Sequence, residues 1–253
     1  MTISISFKDK IAVVTGAAGG LGESLVYKLA EAECAGIIIN DINKSNAEQK
    51  AKKNENAKTK TFVVLADVST AKGAKSVIDA AEKKWGKLDI LVNNAGVCYR
   101  GNIWDESEKQ FDKTIKVNLY STFFCMKYAS ILMKKQKYGT IVNIGSTAGI
   151  TGGTMGPSYA ASKGGIIALS KHAARTLGKD GIRVNCIAPG YIETEMLHSV
   201  FENKKVREER WATIPLGRSA KPEEIANAVI FLLSDQASYI LGDVLLVSGG
   251  RTS

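Results

Sequence analysis

The chain has 253 residues, 45% of them hydrophobic and 23% charged, with 34 Lys and Arg against 25 Asp and Glu for a formal net charge of +9. That length suits one α/β domain or two small ones with a sizeable core, and the balance excludes a disordered or fibrous chain. No run approaches the roughly 18 apolar residues of a membrane span, and the opening MTISISFKDKIAVVTG holds no signal-peptide core, so a cytoplasmic protein without membrane contact is expected.

Cys34, Cys98, Cys125 and Cys186 are widely spaced, which suits free thiols, and with only His172 and His198 a metal site is not expected. The excess lysines are scattered (Lys50, Lys52, Lys53, Lys58 and Lys60, then Lys134, Lys135 and Lys137, then Lys204 and Lys205) with no nucleic-acid-binding signature. They read as solvated helix faces, or as a positive field for an anionic substrate, and no nucleic-acid partner is expected.

In chain order, seven short runs read as strands, nearly all apolar on both alternating faces: Ile11–Thr15, Gly36–Asn40, Thr61–Ala66, Leu88–Val92, Thr140–Ile144, Arg183–Ala188 and Val244–Val247. Strands of that kind are buried between two helical layers, which implies a parallel sheet. Between them, Gly20–Ala32, Lys72–Trp85 and Glu223–Leu233 carry apolar residues at helical spacing, with Pro222 where a first turn tolerates proline. Alternating β and α units predict a doubly wound α/β sheet with helices on both faces and right-handed crossovers, in one domain spanning the chain.

The first strand runs into Thr15-Gly16-Ala17-Ala18-Gly19-Gly20-Leu21-Gly22 and then a helix. Glycines let backbone approach a pyrophosphate, and the following helix N-terminus offers free N–H groups. The G-x-G-x-x-G spacing is absent, and a plain strand–helix turn is the other reading. Asp41, after GIIIN, stands where a carboxylate would accept the adenosine ribose hydroxyls and repel a 2′-phosphate. With no Arg or Lys in the phosphate loop, this predicts NAD rather than NADP. Asp41 could instead begin a turn or cap the next helix.

Tyr159 and Lys163 lie four apart in a predicted helix and so address one site. A lysine ammonium favours the phenolate of a tyrosine whose ordinary pKa, about 10, is high for a base. Ser146 follows the strand TIVNI, at the carboxyl edge where doubly wound sheets bind ligands. Its hydroxyl could polarise a carbonyl oxygen.

Together, Thr15-Gly16-x-x-x-Gly20-x-Gly22, Asn93-Asn94-Ala95-Gly96, Asn118 in KVNL, Ser146, Tyr159-x-x-x-Lys163 and Pro189-Gly190 with Ile192 and Thr194 resemble the motifs of the short-chain dehydrogenase/reductase family, nearly end to end. The resemblance implies a Rossmann-like seven-stranded sheet and hydride transfer between a nicotinamide cofactor and a secondary alcohol or ketone. It implies Tyr159 as general acid/base, Lys163 on the nicotinamide ribose, Ser146 orienting the substrate oxygen, and Asn118 holding a water behind Lys163. It also implies cofactor contacts from Gly16, Gly20, Leu21, Gly22, Asp67, Val68, Asn94, Ala95, Gly96, Pro189, Gly190, Ile192 and Thr194. Asn118 could instead bond backbone at a helix irregularity, and Thr194 could cap a helix.

By position, Gly149–Ser158, Val97–Asn102 and Glu195–Ile214 surround the substrate, the last resembling the family's lid with apolar Met196, Leu197, Val200 and Phe201; Arg100 is a candidate for an anionic substrate. The tail Ser238–Asp243 with VLLVSGG resembles a subunit contact, implying a homotetramer, with a dimer next. The expected activity is NAD-dependent oxidoreduction of a small-molecule alcohol such as a polyol, hydroxysteroid or hydroxy acid. One alternative is an NADPH-dependent 3-oxoacyl-acyl-carrier-protein reductase, whose acidic carrier would suit the basic surface. Another, of a different class, is a non-catalytic cofactor-binding regulator or scaffold.

Overall fold

A computed structural model describes residues 4–195, 197 and 202–251. Seven parallel strands form one sheet in the order β3-β2-β1-β4-β5-β6-β7, with β1 Ile11–Thr15, β2 Gly36–Asp41, β3 Lys60–Leu65, β4 Ile90–Asn93, β5 Gly139–Ile144, β6 Ile182–Pro189 and β7 Val244–Val247. The order reverses beside β1: one half winds out to β3 and the other to β7, which opens a crevice at the strands' carboxyl ends. This is the doubly wound, Rossmann-like α/β fold expected.

The helices are α1 Gly20–Glu31, α2 Lys44–Asn54, α3 Ala71–Trp85, α4 Glu108–Thr114, α5 Ser121–Gln136, α6 Ala148–Thr151, α7 Pro157–Leu177, α8 Lys204–Trp211 and α9 Pro222–Leu233. On one face of the sheet, Leu21, Leu25, Val26 and Leu29 of α1 and Ile225, Val229 and Leu233 of α9 cover Val14, Ile39, Val92 and Val142. On the other, Val77 and Ile78 of α3, Cys125, Ala129 and Met133 of α5 and Ala173 of α7 cover Val13, Ile38, Leu91 and Ile141. Strand residues alternate between these layers, so β1, β2, β4, β5 and β6 need apolar side chains on both faces. Each fully buried Leu or Ile there contributes about 1.5–3 kcal/mol.

The edge strands depart from that expectation. Phe62 and Leu65 on β3 and Leu246 on β7 are exposed, because an outermost strand has a neighbour on one side only. The fourth strand also begins later than its apolar run. The Leu88 N–H donates to Gln136 Oε1 at 2.9 Å, and Gln136 Nε2 donates back to the Leu88 carbonyl at 2.9 Å, so a side chain satisfies this residue in place of a strand. The third strand stops at Leu65, one residue short of its apolar run, and the Asn40 side chain donates from Nδ2 to the Val64 and Ala66 carbonyls, both at 3.0 Å.

Among the described residues no helix is long and apolar enough to cross a membrane. The four cysteines are free thiols, with Cys34, Cys125 and Cys186 buried and Cys98 half-buried.

Candidate active site

The first βα turn forms one end of a cleft of about 570 Å³ at the carboxyl edge of the sheet. Gly16 adopts φ +60°, and a Cβ on Gly22 would lie 2.0 Å from the Gly16 carbonyl oxygen and 2.9 Å from Asn94 Nδ2. The spacing of the motif therefore reflects a turn folded onto itself. Thr15 latches it: its hydroxyl accepts the N–H groups of Asn94 and Ala95, both at 3.1 Å, while Asn94 Nδ2 donates to the carbonyls of Thr15 at 3.1 Å and Gly16 at 2.8 Å. No side chain caps α1 at Gly19, where a Cβ would meet open space. An open glycine turn under an uncapped helix N-terminus fits a dinucleotide pyrophosphate.

Of the sequence-selected residues, Gly16, Gly20, Leu21, Asp41, Asp67, Val68, Asn94, Ala95, Gly96, Pro189, Gly190, Ile192 and Thr194 line this one cleft. Gly22 does not; it packs behind the turn. Ile192 is held by a parallel bridge to Ala220, and the Thr194 carbonyl accepts the Leu197 N–H at 2.9 Å.

Ser146, Tyr159 and Lys163 line the same cleft. Ser146 sits just past β5 and takes the Ala148 N–H on Oγ at 3.1 Å. Pro157 starts α7 two residues before Tyr159, which places Tyr159 and Lys163 in successive turns. The Ser146 side chain acts on the Tyr159 phenol, lowering its pKa, and Lys163 Nζ lies 5.7 Å from the centre of its ring. Burial pushes the Tyr159 phenol up to about 12, only partly offset by Ser146. Burial also lowers Lys163 to about 8, while its Nζ donates to the Ile144 carbonyl at 2.7 Å. In the protein without a bound cofactor, desolvation is the largest influence on both groups.

Asn118 lies under the cleft, in a π-helical turn, Ile115–Tyr120, between α4 and α5. Its Oδ1 accepts the Val97 N–H at 2.8 Å, and its Nδ2 donates to the Val97 carbonyl and Ser162 Oγ, both at 3.0 Å. This is the backbone-bonding arrangement at a helix irregularity. Asp67 takes the Ser69 N–H on Oδ1 at 2.9 Å.

Several contributors escaped the sequence reading. Glu106 accepts the Ser158 N–H at 2.9 Å and the Ser158 hydroxyl, so a carboxylate 52 positions away caps the helix that carries Tyr159. Tyr191 and Arg251 line the cleft, and Lys113 stands at its rim, with its pKa raised by a hydrogen bond to Tyr99. Among the described residues of the expected lid segment, Leu197 is buried and α8 carries Arg207 and Arg210; Met196, Val200 and Phe201 lie outside the described residues.

A fold with a glycine turn and a Ser–Tyr–Lys group in one cleft defines a nucleotide-dependent oxidoreductase, and the chain belongs to the short-chain dehydrogenase/reductase family: a family model described as enoyl-(acyl carrier protein) reductase matches residues 16–252. Among its relatives, a 3-oxoacyl-(acyl-carrier-protein) reductase of Thermotoga maritima is 39% identical over 96% of this chain and 98% of its own length. One from Escherichia coli strain K12 is 36% identical over 97% of this chain and 98% of its own. A subunit of a hydroxy(phenyl)methylsuccinyl-CoA dehydrogenase from Thauera aromatica is 33% identical over 98% of both.

These relatives correct the cofactor expectation. The Thermotoga and Escherichia reductases carry the activity assigned above to the NADPH-dependent alternative, so the preference for NAD over NADP does not stand. The structure shows what misled. Asp41 serves the fold itself, since its Oδ2 accepts the Ala18 N–H at 3.0 Å and its Oδ1 the N–H groups of Ile42 at 2.8 Å and Asn43 at 3.0 Å. A carboxylate that ties the phosphate turn to the end of β2 is explained without a ribose. The second helix is capped by Asn43, whose side chain accepts the Asn46 N–H at 3.2 Å.

Proposed function

We propose that this protein is a 3-oxoacyl-(acyl-carrier-protein) reductase that uses NADPH to convert a 3-oxoacyl thioester to its 3-hydroxy form. The observation that carries this reading is that Ser146, Tyr159 and Lys163 line one cleft with the glycine turn, with desolvation favouring the protonated phenol of Tyr159. Such a group is a proton donor at neutral pH, which is what a carbonyl oxygen needs as it gains negative charge. The names of the curated relatives and the net charge of +9, attractive to an acidic carrier, point the same way.

In this reading Ser146 Oγ holds the keto oxygen and Tyr159 delivers the proton to it. Lys163, anchored on Ile144, reaches the cofactor ribose and supplies positive charge below pH 8. The bound nicotinamide supplies the hydride to the keto carbon. Gly16, Gly20, Leu21, Asp67, Val68, Asn94, Ala95 and Gly96 hold the nucleotide half, and Pro189, Gly190, Ile192 and Thr194 the nicotinamide half. Asn118 fixes the Val97 backbone beneath them. Leu197, packed with Tyr191 and Ile214, covers the substrate and excludes water. The chain acts as one catalytic unit within a homotetramer, with exposed Tyr120 at the end of the π-helical turn, Phe123 and Ile131 on α5 and Leu246 on β7 as the surfaces to be covered.

The test is NADPH oxidation by the purified protein with 3-oxobutyryl-acyl carrier protein. Turnover that is abolished in Tyr159→Phe, with NADPH binding retained, is expected. Absence of turnover, or turnover with NADH alone, overturns the assignment.

A further inference from the structure

Tyr191, just past β6 and buried, is flanked by two arginines from distant parts of the chain. Arg210 of α8 places its guanidinium carbon 5.4 Å from the ring centre and donates from Nη1 to the Tyr191 hydroxyl and, at 3.2 Å, to Thr154 Oγ1. Arg251 places its guanidinium carbon 4.4 Å from the same ring and lines the cleft. The Nε atoms of both are buried without a hydrogen-bond partner. Among the described residues no carboxylate pairs with either, although Glu195 shares the lining. Beside them, Met155, Leu197 and Tyr191 form an apolar wall on the side of the cleft that holds Tyr159.

Two guanidinium groups stacked on one ring, short of acceptors and at the end of an apolar wall, have the donor pattern that grips an oxyanion. We propose that Arg251 and Arg210 form an anion subsite that selects thioester substrates by a charged group remote from the reacting keto carbon. Resting on the reductase reading, this adds its specificity. The oxyanion is a carboxylate ending the acyl chain or the phosphate of a pantetheine arm; both present the same paired oxygens.

Three substrates separate the sources: a neutral 3-oxobutyryl thioester of N-acetylcysteamine, the same acyl group on 4′-phosphopantetheine, and 3-oxoadipyl-N-acetylcysteamine. Arg251→Gln and Arg210→Gln should raise KM at least about tenfold for one or both anionic substrates and leave kcat/KM for the neutral one within about twofold. A rise confined to the phosphopantetheine substrate identifies the phosphate, and one confined to the oxoadipyl substrate the carboxylate. Equal losses on all three would mean a structural role and overturn the subsite. Calorimetric titration with 4′-phosphopantetheine and with adipate keeps the two readings apart. Arginine-dependent binding without turnover of any thioester removes the reductase assignment and keeps the anion site. Binding of neither ligand, or binding indifferent to both arginines, removes the anion site whatever the turnover.

Discussion

Lys163 donates from Nζ to the Ile144 carbonyl at 2.7 Å, which carries an ammonium group into the floor of the cleft at the end of β5. Burial there lowers its pKa from 10.5 to about 8, a displacement worth ~3 kcal/mol at 1.36 kcal/mol per pH unit. Because the folded value is depressed, this group's contribution to stability is present above pH 10.5 and is lost as pH falls through about 8. The stability of the wild type relative to Lys163→Met should therefore rise between pH 8 and 10. Denaturant unfolding of both proteins across that range checks it; a pH-independent difference excludes a buried cation.

Tyr159 shows the opposite sign. With its phenol pushed up to about 12, it resists ionisation while the unfolded chain's tyrosine ionises near 10, so the protein loses stability as pH rises between the two. In an ultraviolet titration of wild type minus Tyr159→Phe, tyrosinate absorbance should appear at about 12. A midpoint below 10 in the cofactor-free protein would show that Lys163 outweighs desolvation after all. For turnover, Tyr159→Phe should lower kcat by roughly 10²–10⁴.

Thr15 is buried and accepts two backbone N–H groups from the loop after β4. Thr15→Val keeps the shape and strands both donors, for a loss of about 2–4 kcal/mol, whereas Thr15→Ser should stay near wild type. The urea midpoint, with an unchanged slope, measures it. Equal behaviour of the two variants would deny the latch.

Glu106 caps α7 through Ser158. Glu106→Ala should cost ~1 kcal/mol of stability, the usual value of a lost N-cap, and lower kcat by loosening the first turn that carries Tyr159. Thermal melts and steady-state kinetics on the same samples read both effects.

Exposed Phe123 and Ile131 on α5 make the oligomer testable as well. If α5 is a subunit surface, Phe123→Glu should shift sedimentation from tetramer to a smaller species with the secondary structure unchanged. A wild-type monomer would remove the tetramer proposal.

Much of this architecture was legible from the linear chain because it depends on local periodicity. A strand buried on both faces must be apolar throughout, so IAVVT, GIIIN and TIVNI announced a parallel sheet, and four-residue spacing put Tyr159 and Lys163 on one helical face. Boundaries were less legible where a side chain replaces the ladder, as Gln136 does at Leu88. Asp41 was read as a ligand contact because the three amides it accepts come from two segments that only the folded chain brings together.

The sequence by itself thus determined the order of strands and helices, the cleft at the carboxyl edge and the cluster of Ser146, Tyr159 and Lys163, since each rests on residue type and spacing. Only the tertiary structure decided what those groups experience. Burial separates Tyr159 from Lys163 in pKa, packing turns Gly22 inward and away from the cleft, and chain closure brings Arg251 against Tyr191 and Glu106 to Ser158. Desolvation and long-range contact are properties of three-dimensional neighbours, and no local pattern in the chain encodes them.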